Sequence, residues 1–77
     1  PCFDDKTKQL MIFGIMLGQL NDAAKIHAVA ARRAGASWEE LHAVVGLCFT
    51  FRGVPAANRG ADMLAEVAMQ EAKATER

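Results

Sequence analysis

Apolar residues recur along this chain at helical spacing in four blocks, and no block alternates as a strand would. The first block follows Asp4 and Asp5. From Leu10 to Leu17 every residue except Gly14 is apolar. This predicts helix 1 over KTKQLMIFGIMLGQL, hydrophobic all round and covered on most sides. The acidic pair before it suits the positive end of the helix dipole. Gly14 and Gly18 lie one turn apart, and each lowers helix propensity by roughly 1 kcal/mol. The expected compensation is a close crossing by a neighbouring helix.

The second block, residues 21–35, reads NDAAKIHAVAARRAG. At helical spacing Leu20, Ala23, Ala24, His27, Ala30, Ala31 and Ala34 share one face, while Asp22, Lys25, Arg32 and Arg33 share the other. The inward face of helix 2 is therefore a strip of methyl groups with one imidazole in its middle. Asn21 or Asp22 is expected to cap this helix, and Gly35 to end it in the left-handed conformation.

Ser37-Trp38-Glu39-Glu40 is a capping box that opens helix 3. Leu41, Val44, Val45 and Cys48 form its main apolar face, and from Ala43 to Phe51 only Thr50 is polar. That assigns helix 3 to the core. Arg52-Gly53-Val54 then breaks the chain, with Pro55 in the first turn of helix 4. Helix 4 runs to about Thr75 and buries Ala57, Gly60, Ala61, Leu64, Val67 and Ala68, opposite Asp62, Glu66 and Lys73. The pattern predicts one all-α domain of four helices over residues 1–77.

Size and charge restrict what such a domain does. Seventy-seven residues, 52% hydrophobic and only 23% charged, bury about 60% of the surface of the unfolded chain. The surplus apolar surface predicts homo-oligomerisation. Net charge is zero, and no basic cluster extends beyond Arg32-Arg33, which argues against nucleic acid as a partner. The apolar run from Leu10 to Leu20 is shorter than the roughly 20 residues that span a membrane, and it lacks the flanks of a signal peptide. Cys2 and Cys48 lie far apart without metal-type spacing, so no disulfide is expected and a reducing cytoplasm fits. Pro1 carries an amine of the type that acts as a base in some tautomerases. Those folds are rich in β-strand, which this chain does not offer.

Candidate chemistry begins at His27, the only group on the helix 2 face able to move a proton near neutral pH. A hydrogen-bonded core histidine is its plainer role. Arg52 suits a two-pronged grip on a substrate carboxylate, with capping of helix 3 as the plainer role. Lys8 suits attraction of an anion, or pairing with Asp4 or Asp5. Trp38 suits stacking on a ligand, or closing the helix 2–3 corner. His42 reads as a surface or interface residue. Cys48 in apolar surroundings is expected to be an inert packing residue. His27 and His42 stand on different helices without a metal signature, so neither a metal nor another cofactor is expected.

The order of these elements resembles a known family. His27, Ala31 and Gly35 stand in H-x-x-x-A-x-x-x-G, followed by Ala36-Ser37-x-Glu39-Glu40-Leu41 and by Phe51-x-Gly53-Val54-Pro55-Ala56-Ala57. Lys6-Thr7-Lys8-Gln9-Leu10 is similar to the opening of the first core helix. Over residues 4–70 the chain resembles the carboxymuconolactone decarboxylase family, which includes the alkylhydroperoxidase-D-like proteins. The resemblance implies a compact helical fold assembled as a homotrimer or homohexamer.

It also implies a test of mechanism. The peroxidase branch carries C-x-x-C-x-x-x-H, in which one thiolate attacks peroxide and the other resolves the sulfenic acid. Here the two cysteine positions hold Leu20 and Ala23, and the branch's upstream acid falls near Lys8. The chain is thus closer to the decarboxylase branch. Its departures are Phe51, where an aromatic hydroxyl is common, and Ala43, where a further acid often follows. The resemblance implies a lyase acting on a small anionic lactone or related carboxylic acid, with His27 as proton donor and Arg52 or Lys8 steadying the carboxylate. The pocket is expected among the small faces of helices 2 and 4, at a subunit boundary. The alternatives are a non-catalytic oligomeric binding or scaffold module, and a peroxide-linked redox protein using Cys48 alone.

Overall fold

In the computed structural model, which describes residues 2–75, four helices follow one another: α1 (Asp5–Gly18), α2 (Ala24–Arg33), α3 (Trp38–Arg52) and α4 (Val54–Thr75). No strand occurs among the described residues. Pro1 lies outside them, and with it the tautomerase reading of its amine. No helix among them is long and apolar enough to cross a membrane.

The helix ends follow local chemistry. Asp4 caps α1 by accepting from the Thr7 amide at 2.8 Å. The capping box at α3 forms in full: Ser37 Oγ accepts from the Glu40 amide at 3.0 Å, and Glu40 Oε1 accepts from the Ser37 amide at 2.9 Å. Gly35 ends α2 at φ 102°, which lets the Ala36 amide return to the Ala31 carbonyl at 2.9 Å.

The start of α2 departs from expectation. It begins at Ala24, after an uncapped Ala23. Leu20 takes the left-handed position that closes α1, at φ 58°, and the Asn21 amide returns to the Met16 carbonyl at 3.0 Å. Asn21 Oδ1 then accepts from the Ala23 amide at 2.9 Å, so it caps the turn ahead of the helix. Asp22 faces Arg59 of α4 at 3.5 Å, and Arg59 also donates to the Leu20 carbonyl at 2.6 Å. The sharp reversal uses both expected caps before the helix begins.

Cross-helix pairs define the topology. Lys6 meets Glu40 at 3.1 Å, and Cys48 Sγ donates to the Gly14 carbonyl at 3.3 Å. Both pairs share one sequence offset, so α1 and α3 run parallel. Lys25 meets Glu66, and Arg32 meets Glu71, so α2 and α4 run parallel as well. The arrangement is an up-down-up-down bundle in which α1 packs on α2 and α3, and α4 on α3 and α2.

Phe13, Leu17, Leu41, Leu64 and Val67 are the large side chains fully enclosed in the core. Two helix faces are rotated from the expected ones. On α2 the buried stripe is Ala24, Ala28 and Ala31; His27 sits half-buried at its edge, and Ala34 is exposed. On α4 the buried set is Ala56, Gly60, Met63, Leu64 and Val67, leaving Ala61 and Ala68 exposed. Gly60 marks the point of closest approach: a Cβ there would stand 2.8 Å from Leu17 Cδ2 and 2.9 Å from Val45 Cγ2. Gly14 does the same against Val44 Cγ1, at 2.9 Å, as the glycine spacing predicted. Gly18 does not, since nothing lies within 4 Å of a Cβ built on it. Nor are helices 1 and 3 covered on most sides. Met11, Ile15, Leu47, Phe49 and Phe51 are exposed, because four short helices supply too few neighbours to enclose two all-apolar ones.

Candidate functional site

His27 is positioned by the α1–α2 hairpin. Antiparallel pairing brings Gln9, the polar residue just ahead of the apolar run of α1, opposite it, and His27 Nδ1 bonds Gln9 Oε1 at 2.7 Å. An amide oxygen only accepts, so with this pairing Nδ1 carries the hydrogen and Nε2 holds the lone pair. The imidazole is thereby held in one tautomer, with its second nitrogen left for proton exchange.

Gln9 also lines a cleft of about 660 Å³ between α1 and α2. Asp5, Ile26, Val29, Ala30, Arg33 and Ala34 complete its wall. Arg33 is exposed, and it is the guanidinium that shares this cleft with the partner of His27. Lys8 reaches Asp5 at 3.7 Å, one helical turn away, and stays exposed.

Arg52 and Trp38 belong elsewhere. Arg52 lies at the end of a separate apolar groove between α1 and α3, about 560 Å³ in volume. Trp38 lies beneath the Arg32 guanidinium, 4.2 Å from its ring centroid. Its half-buried ring is therefore stacked on a cation of the same chain, which is the corner-closing role. His42 is exposed on α3. The space between α2 and α4 is small, about 280 Å³, and is walled by Arg32, Arg33 and Glu71 among others. It is thus a charged crevice, in place of the pocket expected between small faces.

Arg32 is the residue whose weight was missed. It donates to both carboxylate oxygens of Glu71 at 2.8 Å and to the Ala36 carbonyl at 2.7 Å. The Arg32 hydrogen bonds hold the Glu71 carboxyl below the usual range and push the guanidinium up. Lys25 likewise meets Glu66 at 2.7 Å. Basic residues read as the solvent face of α2 thus grip α4. A signal was present: Lys25 and Arg32 stand about two turns apart on helix 2, and Glu66 and Glu71 about one and a half turns apart on helix 4.

Cys48 is buried, at 8% exposure, and burial pushes its thiol up. Among the described residues no three His, Cys, Asp or Glu side chains group so as to hold a metal ion.

The family model for the carboxymuconolactone decarboxylase family matches residues 2–66. The chain belongs to that family. No curated protein and no solved structure matches it significantly. Membership in the carboxymuconolactone decarboxylase family supports a decarboxylase-like or alkylhydroperoxidase-like protein. Leu20 and Ala23, seven and four places before His27, lie at the α1–α2 reversal, and neither supplies a thiol.

Proposed function

We propose that this member of the carboxymuconolactone decarboxylase family is a decarboxylase-type lyase acting on a small anionic lactone or related carboxylic acid, and that it works as a homo-oligomer, a trimer or a hexamer. The observation that carries the reading is the 2.7 Å bond between His27 and Gln9. It orients the imidazole through Gln9, which lines a cleft together with the Arg33 guanidinium. Arg33 takes the carboxylate-anchoring role that the sequence assigned to Arg52 or Lys8, because it shares the cleft with Gln9. The bond from ring carbon to carboxylate breaks, carbon dioxide leaves, and the electron pair passes into the conjugated lactone carbonyl. His27, protonated at Nε2, delivers that proton to carbon, and water restores it.

Redox chemistry through Cys48 alone has little support, since the thiol is buried, raised and bonded to the Gly14 carbonyl. The deciding experiment is carbon dioxide release from a carboxymuconolactone by the native protein, by His27→Asn and by Gln9→Ala. The expected result is turnover by the native protein, reduced about 10²- to 10⁴-fold in His27→Asn with helicity retained. Gln9→Ala shifts the pH profile because the tautomer is no longer held. Equal turnover in native protein and His27→Asn overturns the role of His27. Turnover in neither, across a panel of lactone acids, favours the non-catalytic scaffold.

A further inference from the structure

The groove between α1 and α3 lies apart from the His27 cleft and has no role in the chemistry above. Its volume of about 560 Å³ falls in the range of small-molecule sites. One stripe from each helix walls it, with Leu10, Ile15 and Gly18 on α1 and Val44, Leu47 and Phe51 on α3. Because the two helices run parallel, the stripes lie side by side and the trough between them is straight. Gly14, which also lines it, lets Val44 approach: a Cβ there would stand 2.9 Å from Val44 Cγ1. Gly18 leaves the trough open, with nothing within 4 Å of a Cβ built on it. Ile15, Leu47 and Phe51 are exposed along it. Single exposed apolar residues are ordinary, but a contiguous strip on two adjoining helices marks a binding surface.

A single charge lines this trough, and it selects the occupant. Lys6–Glu40 and Gly14–Cys48 share one sequence offset, and the same offset sets Arg52 level with Gly18, at the C-terminal end of both helices. No aspartate or glutamate lines the groove. Ion pairs among the described residues engage Lys6, Lys8, Lys25, Arg32 and Arg59, and none engages Arg52. Capping does not occupy it either, because α3 closes on backbone, with the Gly53 amide donating to the Phe49 carbonyl at 2.8 Å. The groove thus offers an apolar trough that ends on an uncommitted guanidinium. A second copy of this chain fits it poorly. An isologous contact sets a face against itself, and this face carries no carboxylate to meet Arg52.

Length completes the match. From Leu10 to Gly18 the α1 wall rises about 12 Å. An extended alkyl chain, with bonds of about 1.5 Å at tetrahedral angles, advances about 1.25 Å per bond and covers about 11 Å in ten carbons. We infer that the α1–α3 groove binds an unbranched aliphatic carboxylate of about ten carbons, its chain lying along the trough over Gly14 and Gly18 and its carboxylate gripped by Arg52. This goes beyond the reaction proposed at His27 and does not depend on it. The aliphatic acid is a ligand of the groove and is not consumed.

Amide NMR on the full chain, titrated with decanoate, tests this. Saturable shifts are expected at Gly14, Gly18 and the Arg52 side chain, with the Gly60 amide of α4 unmoved. Octanoate, two methylenes shorter, binds about tenfold more weakly. Arg52→Gln weakens decanoate binding about tenfold or more and leaves decanol binding unchanged, since only the carboxylate uses the guanidinium. Gly18→Leu abolishes binding by filling the trough, with the helical circular dichroism signal retained. The absence of a saturable shift overturns the inference, and so do shifts confined to other faces. Decanol bound as tightly as decanoate, or native affinity in Arg52→Gln, overturns it as well. Sedimentation equilibrium adds one further outcome: native self-association that Phe51→Glu abolishes makes a second copy the occupant, and overturns the inference. Carbon dioxide release reads the His27 reaction separately, so failure here leaves that reading standing.

Discussion

Arg32 and Glu71, thirty-nine residues apart in sequence, are joined by two hydrogen bonds of 2.8 Å. The same guanidinium covers Trp38 and donates to the Ala36 carbonyl. One side chain on α2 thereby ties the α2–α3 corner, the start of α3 and the last third of α4. Bidentate geometry makes this pair stronger than an ordinary surface ion pair, although Glu71 is partly solvated.

Arg32→Ala is therefore expected to destabilise the fold by about 1–2 kcal/mol, losing the pair and the ring contact together. Arg32→Lys recovers little of this, since an ammonium cannot grip two oxygens in the same plane. Urea unfolding midpoints check both, with an unchanged slope showing that the unfolded state is not altered.

Acid should loosen the same region. The Glu71 carboxyl is held low in the fold by the Arg32 hydrogen bonds, so the folded state binds its proton less readily than the unfolded chain does. Its stabilisation is complete above the ordinary glutamate range, near about 4.3, and is lost as pH falls through the lowered folded value. Asp4 and Glu40 shift in the same direction, through their bonds to Thr7 and to Ser37. Thermal unfolding followed from neutral pH downward should show stability falling with acidification below that range. Glu71→Gln should show a shallower fall than the native protein.

Two glycines on neighbouring helices should respond in opposite ways. Gly60→Ala places a methyl 2.8 Å from Leu17 and 2.9 Å from Val45. The β-branched Val45 has no easy rotamer to retreat into, so the strain outweighs the gain in helix propensity and the variant loses about 1–2 kcal/mol. Gly46→Ala meets nothing within 4 Å and should gain up to about 1 kcal/mol. Melting temperatures of the two variants, measured side by side, check the contrast.

The two thiols should separate kinetically. Cys2 is exposed, whereas Cys48 is buried, raised by that burial and bonded to the Gly14 carbonyl. Titration with a coloured disulfide reagent should label Cys2 promptly and Cys48 only as the fold opens, with denaturant bringing the two rates together. Rapid labelling of both in the native protein would show that the α1–α3 contact is looser than described.

Much of this was legible in the chain itself. Helix number, the Ser37–Glu40 box, the left-handed Gly35, the crossing at Gly14 and the family pattern through Pro55 are all set by residues within a few positions of one another. Local sterics and local hydrogen bonds determine such features, so a linear reading reaches them. What only the tertiary structure decided depends on partners far apart in sequence. The burial of Gly60 on α4 follows from where it lets Leu17 of α1 and Val45 of α3 approach. That Arg32 and Lys25 hold α4 instead of facing water follows from the parallel run of α2 and α4. Gln9 became the partner of His27, and Arg33 rather than Arg52 came to share a cleft with Gln9, through the α1–α2 hairpin. Periodicity locates a face only to within one residue, about 100° of helix rotation. Packing against specific atoms on the neighbouring helix selects the angle within that range.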